Sequence, residues 1–580
     1  MPIHPVSGSA MPMQPMVTGR RWMVSAGHWL AAEAGAAMLA AGGNAVDAAV
    51  AAGITLGVVH PDQVQTTGVA PLLVYLRERD EVVSIAGLGH WPRATRPEVF
   101  FDDHGGKIPI GLLRTVVPAA PDAWITALQR YGTMPFHEVV QPAIRCAREG
   151  FTVHHMMAEY IGAFAHQYRI WPQNAAIFLP GDRVPEIGDL FVQTDLAGSL
   201  QHMADESRAG ERRGGHQAGL AAAHDAFYRG DLAAAMVRYH RENGGWLSAE
   251  DLSEYRSEVE PAVSIDFNGT KVFSCPAWCQ GPSLLQMLVM ARGLDLTGMG
   301  HNSPAYVHAL AETIKLAFAD RQRYFGDPRF VDVPLATLLS EAYAAERRRQ
   351  IDPDRAWPGM PPAGEIAGSR AGEAALPEPG RAPELEGDTS YVCVIDRWGN
   401  AVSATPSDTS FDTPVIPGLG FCPSSRGSQS WADPKAAATI APMRRPRLTP
   451  NPSMAIRKGD YVMPFGGPGG DLQPQAMMQV FLNHAVFGME MQHAIDAPRF
   501  VTHSFPHTFE PHLYQPGKLD LEQRYPASTA DALAARGHDV FWRPPVSTNV
   551  AGVCAIRSDL KRGLLQGGAD PRRAARAIGW

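Results

Sequence analysis

Thr389 stands where two kinds of sequence meet. A segment rich in Pro, Gly, Ala and Glu, residues 355–386, precedes it, and the alternating run Tyr-Val-Cys-Val-Ile-Asp at 391–396 follows it. The first composition is typical of a flexible arm, and the second is typical of a strand. Cleavage between Asp388 and Thr389 would make the threonine an N-terminal nucleophile. Threonine is also common at ordinary strand starts, so this hypothesis needs further support.

A threonine hydroxyl is a weak nucleophile without a neighbouring base. A free α-amino group, with a pKa of about 8, is such a base, and cleavage would create it on Thr389 itself. The segment Phe-Gly-Gly-Pro-Gly-Gly-Asp at 465–471 precedes a predicted helix and offers unobstructed backbone N–H groups for an oxyanion. The alternative is a purely structural tight turn. The segment lacks the ending of a phosphate loop, and the chain has no Gly-x-Ser-x-Gly elbow.

The elements that must position these residues change in character along the chain. The region before Thr389 is mainly helical, with small-residue helices predicted in 29–60 and further helices in 118–151 and 303–325. The last of these places Val307, Leu310, Ile314 and Phe318 on one face, which predicts an amphipathic surface helix with solvated charges opposite. After Thr389, two strands around 391–396 and 401–405 predict a hairpin, and later strands alternate with helices.

Composition excludes several classes of function. A chain of 580 residues requires several domains or one large multilayer domain. A net charge of -8, without basic blocks, argues against nucleic acid and membrane partners, and the apolar run 48–59 is too short to span a bilayer. No secretory signal is evident, so a cytoplasmic location is expected. The six cysteines indicate reduced thiols, and their spacing and that of the histidines predict no metal site.

Distinctive motifs occur throughout the chain, at 40–49 (Ala-Ala-Gly-Gly-Asn-Ala-Val-Asp-Ala-Ala), 131–135 (Tyr-Gly-Thr-Met-Pro), 226–230 (Ala-Phe-Tyr-Arg-Gly), 494–500 (Ala-Ile-Asp-Ala-Pro-Arg-Phe) and 569–572 (Ala-Asp-Pro-Arg). In type and in order they resemble those of the γ-glutamyltranspeptidase family of N-terminal nucleophile hydrolases. The resemblance implies a four-layer αββα sandwich, an α/β fold shared by a large subunit, 1–388 with its arm 355–388, and a small subunit, 389–580. The subunits are expected to stay associated, and pairing into a heterotetramer is left open.

The resemblance also implies roles for individual residues. The nucleophile falls on Thr389, its supporting hydroxyl on Ser407 and the oxyanion donors on Gly469 and Gly470. Cleavage between Asp388 and Thr389 would be autocatalytic. The substrate contacts implied at the family's substrate-binding segments are Arg426, Gln429 and Asp471. Only a small-molecule amide and water are then required, without a metal or an organic cofactor.

Three departures from the family pattern bear on the substrate. The stretch 88–92 (Leu-Gly-His-Trp-Pro) lacks the arginine that binds a γ-glutamyl carboxylate in the family. The family's paired serines are Leu-Thr here, at 448–449. The acidic segment that binds the α-amino group in the family is replaced by the basic stretch 424–429. Segments 402–407, 414–421 and 465–471 look more like the oxamate-amidohydrolase branch. They favour a small carboxylate-bearing amide, with Arg426 as a bidentate partner of the carboxylate or, alternatively, a structural arginine.

The sequence therefore predicts an autoprocessing amidohydrolase that acts on an oxamate-like amide through a threonine acyl-enzyme. One alternative is a γ-glutamyl hydrolase or transpeptidase that acts on glutathione-like substrates and binds them through residues other than the family's usual ones. An alternative of another class is an uncleaved, inactive relative that serves as a binding protein.

Overall fold

A computed structural model describes residues 13–369, 372–380 and 388–580. Within them the strands are β1 (Val17–Gly19), β2 (Met23–Ala26), β3 (Leu72–Leu76), β4 (Glu81–Ile85), β5 (Phe151–Thr152), β6 (Leu190–Phe191), β7 (Val259–Pro261), β8 (Val263–Phe267), β9 (Thr270–Ser274), β10 (Val392–Ile395), β11 (Ala401–Ala404), β12 (Ser453–Arg457), β13 (Tyr461–Gly466), β14 (Phe500–Thr502), β15 (Lys518–Glu522), β16 (Asp539–Arg543), β17 (Cys554–Asp559), β18 (Leu564–Gly568) and β19 (Arg576–Gly579).

The α-helices of the same residues are α1 (Trp29–Ala40), α2 (Ala45–Val59), α3 (Ala120–Tyr131), α4 (Phe136–Val139), α5 (Gln141–Glu149), α6 (His155–Ala163), α7 (Ala165–Tyr168), α8 (Pro172–Phe178), α9 (Thr194–Gly214), α10 (His216–Tyr228), α11 (Asp231–Glu242), α12 (Ala249–Glu254), α13 (Gly281–Arg292), α14 (Leu296–Met299), α15 (Pro304–Tyr324), α16 (Leu335–Leu338), α17 (Glu341–Arg348), α18 (Gln473–Ala485), α19 (Met491–Asp496) and α20 (Ala527–Ala535). Short 3-10 turns include Arg426–Gln429 and Gly470–Leu472.

Two seven-stranded antiparallel sheets form the centre of the molecule. Their strand orders are β1-β18-β17-β13-β12-β9-β8 and β19-β2-β10-β11-β3-β4-β7. Buried side chains such as Met23, Tyr391, Met454 and Ile556 fill the space between the sheets. Helices α1 and α2 pack on the outer face of the second sheet, and α13 and α18 pack on the outer face of the first. The result is the four-layer αββα sandwich that the resemblance implied.

The β10–β11 hairpin, which follows Thr389, lies in the middle of one sheet. Strand β10 pairs with β2 on one side and with β11 on the other, and β11 pairs with β3. Strands from after Thr389 are therefore inserted between strands from before Asp388. Since all four residues of β10 and of β11 are buried, the two parts of the chain share one core, as expected.

Local signals explain the helices that cover this hairpin. Asn44 caps α2 in a capping box, with its side chain accepting the N–H groups of Val46 and Asp47 and Asp47 bonding back to the Asn44 N–H. Every residue of α2 is buried, because the helix lies between the sheet and the helices outside it. Its small side chains permit this close packing on both faces.

The expected surface exposure of α15 is wrong. The helix is present at Pro304–Tyr324, but the charged side chains of its second face are also buried. Lys315 Nζ lies 2.7 Å from a Glu312 carboxylate oxygen, and Asp320 lies 3.3 Å from an Arg347 nitrogen. Because each charge has a partner within the fold, the face that the pattern assigned to solvent packs inside the protein.

Part of the predicted arm is attached to the body. Residues 355–369 and 372–380 form no helix, yet the Ala356 N–H bonds to the Arg536 carbonyl at 2.7 Å and the Gly364 N–H bonds to Asp320 at 2.8 Å. Further along, the Gly380 N–H bonds to the Tyr514 carbonyl at 2.9 Å. Residues 370–371 and 381–387 of the arm lie outside the described residues.

Two composition-based expectations can be compared with this structure. All six cysteines fall in the described ranges, and all are free thiols. Among residues 13–369, 372–380 and 388–580, no helix has the length and hydropathy needed to cross a bilayer. The cytoplasmic location stays a prediction.

Candidate active site

Thr389 is held at the entrance to β10 in an unusual backbone conformation. Its N–H donates to the carbonyl of Gln63 at 3.0 Å, and the next N–H, that of Ser390, donates to the carbonyl of Pro406 at 3.0 Å. The φ angle of Thr389 is 108°. A β-branched residue rarely adopts positive φ, and such conformations cost on the order of 1–3 kcal/mol. The peptide groups before and after Thr389 are thus both held by hydrogen bonds, and the residue between them is strained.

The hydroxyl of Thr389 is buried beside the serine that the sequence predicts as its support. Thr389 Oγ1 lies 2.7 Å from Ser407 Oγ and 3.3 Å from a carboxylate oxygen of Asp388. Ser407 is fixed by paired backbone hydrogen bonds with Val69, each of 3.0 Å. At Gly68 a Cβ would lie 2.3 Å from the Ser407 carbonyl oxygen, so this close approach requires glycine. The loop before β3 therefore positions Ser407.

The predicted oxyanion turn follows β13 directly. Gly469 has φ 127° and Gly470 has φ 54°, conformations that favour glycine. The carbonyl of Gly469 accepts the Leu472 N–H at 2.9 Å, and the carbonyl of Gly470 accepts from Gln280 Nε2 at 2.8 Å. Because the Gly469 carbonyl shares a peptide plane with the Gly470 N–H, the first of these bonds gives that N–H a defined direction.

Arg426 lies in the same buried region as the bond to be cleaved. It is 0% exposed, forms an ion pair with the carboxylate of Asp388 and lies 3.6 Å from a carboxylate oxygen of Asp408. Burial by itself lowers the pKa of Arg426, but the two neighbouring carboxylates outweigh this effect. The net result is a pKa above the ordinary value. Nη1 of this guanidinium has no hydrogen-bond partner among the described residues. A buried, permanently charged group with a free N–H edge is suited to bind a carboxylate.

The other two predicted substrate contacts are already engaged within the fold. Gln429 donates to Thr449 Oγ1 at 2.9 Å and accepts the Thr449 N–H at 3.3 Å. Asp471 accepts the N–H and the hydroxyl of Thr508 at 2.6 Å each and pairs with Arg321. Both side chains therefore support the loops around the site, and their contact with a substrate stays a prediction.

A cavity of about 330 Å³ opens beside Asp388. Its walls are largely aromatic and aliphatic and include Tyr160, Phe411, Phe509 and Leu513. Phe509 connects the parts of the site: its ring lies 5.3 Å from the Arg426 guanidinium, and a Cβ on Gly470 would lie 3.6 Å from it. Asp388 and Phe509 thus line the cavity, and the Phe509 ring lies next to both Arg426 and the glycine turn.

Three buried histidines lie behind Ser390. The ligand atoms of His28, His60 and His154 lie within 4.8 Å of one another, and His60 Nδ1 is 3.1 Å from Ser390 Oγ. Burial lowers the pKa of each ring, that of His154 to about 4, so the rings are neutral near pH 7. Nδ1 of His28 and of His154 accepts a backbone N–H at the start of a helix, which places the proton on Nε2. The three neutral rings pack against one another behind Ser390.

Another group with the composition of metal ligands lies at α15. His308, Glu312 and His538 are close enough to share an ion. His308 Nδ1 is 2.9 Å from His538 Nε2, and Glu312 is already paired with Lys315. The neighbouring ammonium opposes a further cation, so these contacts favour a hydrogen-bonded cluster.

Comparisons with known proteins decide the family. A family model described as Gamma-glutamyltranspeptidase matches residues 31–580. The chain belongs to the γ-glutamyltranspeptidase family. The Acylase ACY 1 proenzyme of Pseudomonas sp. (strain SE83) is 34% identical over 545 residues, covering 91% of this chain and 89% of that protein. The Glutathione hydrolase-like YwrD proenzyme of Bacillus subtilis (strain 168) is 31% identical over 98% of this chain and 100% of its own length.

A solved structure agrees with the family's fold over the full chain. Cephalosporin acylase from Bacillus halodurans superposes with a TM-score of 0.83 at 28% identity, covering 100% of this chain and 99% of that one. As a member of the γ-glutamyltranspeptidase family of hydrolases and acylases, this protein is an enzyme with the N-terminal nucleophile hydrolase fold.

Several residues of the γ-glutamyltranspeptidase-family site have no signal in the sequence. Gln63 contributes a carbonyl to the Thr389 N–H, Asp408 orients Arg426, and Gln280 connects Arg321 to the oxyanion turn. These residues are distant from one another along the chain, and none lies in a motif of known chemistry. Only their burial as polar groups marks them, and burial of a polar side chain is not readable from local pattern.

Proposed function

We propose that the protein is an autoprocessing N-terminal threonine amidohydrolase that acts on a small amide bearing a carboxylate, the class that includes oxamate-like compounds. The observation that supports this substrate is Arg426, whose fully buried guanidinium lies beside the bond to be cleaved. If Asp388 moves away after cleavage, this buried cation loses one of its two carboxylate partners, and an anionic substrate group could take its place.

In the maturation step, Thr389 Oγ1 attacks the carbonyl carbon of Asp388. The Asp388–Thr389 amide bond breaks, an ester forms on Oγ1, and the amide nitrogen becomes the amine of Thr389. Water then hydrolyses the ester and releases residues 1–388 from residues 389–580. The positive φ of Thr389 favours this step, because the conformational constraint on N–Cα disappears when the peptide bond is cut.

In turnover, the new amine takes the proton of the Thr389 hydroxyl as Oγ1 attacks the substrate amide. The Gln63 carbonyl, which accepts the Thr389 N–H in the uncleaved chain, would keep this amine in position. Ser407 donates to or accepts from Oγ1, and the N–H groups of Gly469 and Gly470 stabilise the oxyanion. The protonated amine passes its proton to the leaving amine, and water completes hydrolysis of the acyl-enzyme.

Both parts of the chain are required for this site. Gln63 and Val69 belong to the part before the cleavage point, whereas Ser407, Arg426 and Gly470 belong to the part after it. Strands β2 and β3 enclose the β10–β11 hairpin, so the products of cleavage stay associated through a shared sheet. Their separation would expose the core of the sandwich to water.

A γ-glutamyl hydrolase is the second candidate, favoured by the similarity to a glutathione hydrolase-like protein over nearly the whole chain. Arg114 is the residue that could replace the missing carboxylate-binding arginine, because it lines the cavity. Its guanidinium is already bonded to Asp412 at 3.0 Å and to the carbonyls of Ile108 and Pro109. These contacts favour Arg426 over Arg114 as the carboxylate-binding group.

A substrate panel separates the candidates. Purified, processed protein is assayed with oxamate-like anilides, with γ-glutamyl anilide and with a neutral acyl anilide. We expect hydrolysis of carboxylate-bearing amides without need of an amine acceptor, and its loss in Thr389→Ala. Activity on γ-glutamyl anilide alone would refute the proposed substrate, and one intact inactive chain would support a binding protein instead.

A further inference from the structure

Asp388 occupies, during maturation, the position that the acyl group of a substrate occupies in the mature enzyme. Maturation and turnover share one chemical species, an ester between an acyl carbonyl and Thr389 Oγ1. In maturation that acyl group is Asp388 itself. The groups that hold the Asp388 side chain in the uncleaved protein are therefore positioned to hold the corresponding part of a substrate. This inference rests on the proposed function and specifies its substrate class.

Arg426 holds the side chain of Asp388. Its Nη2 pairs with Asp388 Oδ2, while its Nε lies 3.6 Å from Asp408. Asp408 is itself saturated, since it accepts from Ser424 Oγ at 2.7 Å and from the N–H groups of Thr409 and Ser425 at 2.9 and 3.2 Å. Asp408 thus orients the arginine from the Nε side and does not compete with Asp388 for Nη2. When Asp388 leaves after cleavage, Nη2 loses its partner beside the cavity that Asp388 lined.

The covalent structure of aspartate sets the distance between the two ends of the substrate. Two carbon atoms, Cα and Cβ, separate the scissile carbonyl carbon of Asp388 from its carboxylate carbon. We propose that Arg426 is a carboxylate subsite matched to this spacing and that the mature enzyme prefers amides of the succinyl type. An oxalyl group is shorter by two carbons, a malonyl group by one, and a glutaryl group is longer by one.

The apolar surroundings are consistent with such a group. The Phe509 ring lies 5.3 Å from the guanidinium and also lines the cavity, so it would contact the two methylenes of a succinyl chain. The reaction balances as ordinary hydrolysis. Oγ1 bonds to the succinyl carbonyl, the carbon–nitrogen bond breaks with the proton going to the amine, and water then releases succinate and restores the hydroxyl.

The first test uses the wild-type, processed enzyme. The p-nitroanilides of oxalic, malonic, succinic and glutaric acid are compared with butyryl p-nitroanilide, which resembles the succinyl compound without its carboxylate. We expect kcat/KM for the succinyl compound to exceed each of the others by about tenfold or more, as one charge-assisted hydrogen-bonded pair provides. An optimum at another length, or equal rates for succinyl and butyryl compounds, would overturn the inference while leaving the amidohydrolase intact.

Variants of Arg426 and Asp388 test the assignment to residues. Arg426→Gln is expected to abolish the preference for succinyl over butyryl, whereas Arg397→Gln, on an exposed turn, should preserve it. Since Arg426→Gln could also impair folding, maturation provides a second reading. Asp388→Glu and Asp388→Asn should both slow cleavage of the chain about tenfold, because one moves the carboxylate and the other removes it. Wild-type cleavage rates in both variants would contradict the subsite.

Failure of the proposed function can be distinguished from failure of the carboxylate subsite. If processed protein hydrolyses none of the five anilides, it is not an amidohydrolase of this class. The subsite is then decided by thermal unfolding in the presence of free oxalate, malonate, succinate or glutarate. A larger stabilisation by succinate, lost in Arg426→Gln, supports the subsite, and equal effects of the four diacids overturn it.

Discussion

Ser407 Oγ lies 2.7 Å from Oγ1 of Thr389, and both hydroxyls are buried. The two residues sit on either side of the β10–β11 hairpin, so their contact depends on the pairing of those strands. Residues 68–69 then hold Ser407 from the other part of the chain. A single hydrogen bond therefore reports on the assembly of the whole site.

Removing the Ser407 hydroxyl tests that hydrogen bond. Ser407→Ala should lower kcat by about 10- to 100-fold, because one hydrogen bond to a reacting group contributes roughly 1.5–3 kcal/mol. KM should change little, since the hydroxyl contacts the nucleophile and not the substrate. Steady-state kinetics on processed protein measure both. A loss of kcat smaller than twofold would exclude the role given to Ser407.

Gly27 tests how closely the strands must approach at the cleavage point. A Cβ at this position would lie 2.3 Å from Ser390 Oγ, so Gly27→Ala should turn the serine away from His60 and slow cleavage several-fold. The time course of cleavage on a denaturing gel measures this. Combined with Ser390→Ala, the change should add nothing, since the clashing atom is absent.

Gly198→Ala is the matched control for that substitution. This glycine lies in the exposed part of α9, and a Cβ there has no neighbour within 4 Å. The variant should unfold at a slightly higher temperature, because alanine favours a helix over glycine by about 0.5–1 kcal/mol, and it should be cleaved at the wild-type rate. Equal slowing in both glycine variants would show that the Gly27 effect is not local.

Asp62 gives the stability a distinct pH dependence. Burial raises the pKa of its carboxyl to about 6 from 3.8, so the folded protein keeps the proton where the unfolded chain loses it. The free energy of folding that the protonated Asp62 carboxyl contributes is fully present below pH 3.8 and is lost as the pH rises through about 6. Asp62→Asn should therefore match the wild type near pH 4 and be up to about 3 kcal/mol more stable near pH 7.

The Asp62 comparison is best made in the Thr389→Ala background, where both proteins are single chains. Thermal unfolding of the two proteins is followed in steps between pH 4 and 7. A constant difference across this range would contradict the raised pKa. Asp471 has the opposite sign: despite burial, pairing with Arg321 lowers its pKa to about 2, so its stabilisation is lost only as the pH falls from 3.8 towards 2.

The pair Arg321–Asp471 is expected to behave as a unit. Both side chains are 1% exposed, and Arg321 also bonds to Gln280, which fixes the oxyanion turn. Arg321→Met should destabilise the protein by about 3–5 kcal/mol, because it leaves a buried carboxylate without a cation. Adding Asp471→Asn should recover much of that loss. A double variant as unstable as the sum of the single variants would show that the two side chains act independently.

The sequence predicted the parts of the fold that depend on local pattern or on family motifs. The hairpin at β10 and β11 and the glycine turn at 469–470 are both present, since backbone preference and side-chain alternation determine each of them. The four-layer sandwich was predicted from the motifs alone. No periodicity could show that strands before and after Thr389 alternate in one sheet.

The remaining differences come from long-range contacts. The charged face of α15 is buried because Arg347 and Asp471 provide partners from distant segments. Gln429 and Asp471 are engaged by Thr449 and Thr508, partners that their motif positions did not indicate. Pairing of buried polar groups is decided by tertiary structure, and a single sequence does not record it.

The proposed mechanism depends above all on the identity of the N-terminal residue of the small subunit. Intact-mass measurement of the purified protein, with N-terminal sequencing, tests it directly. We predict two chains, residues 1–388 and residues 389–580 beginning with Thr389, and one uncleaved chain in Thr389→Ala. A wild-type protein that remains a single chain, or is cut at another bond, would contradict the assignment of Thr389 as nucleophile.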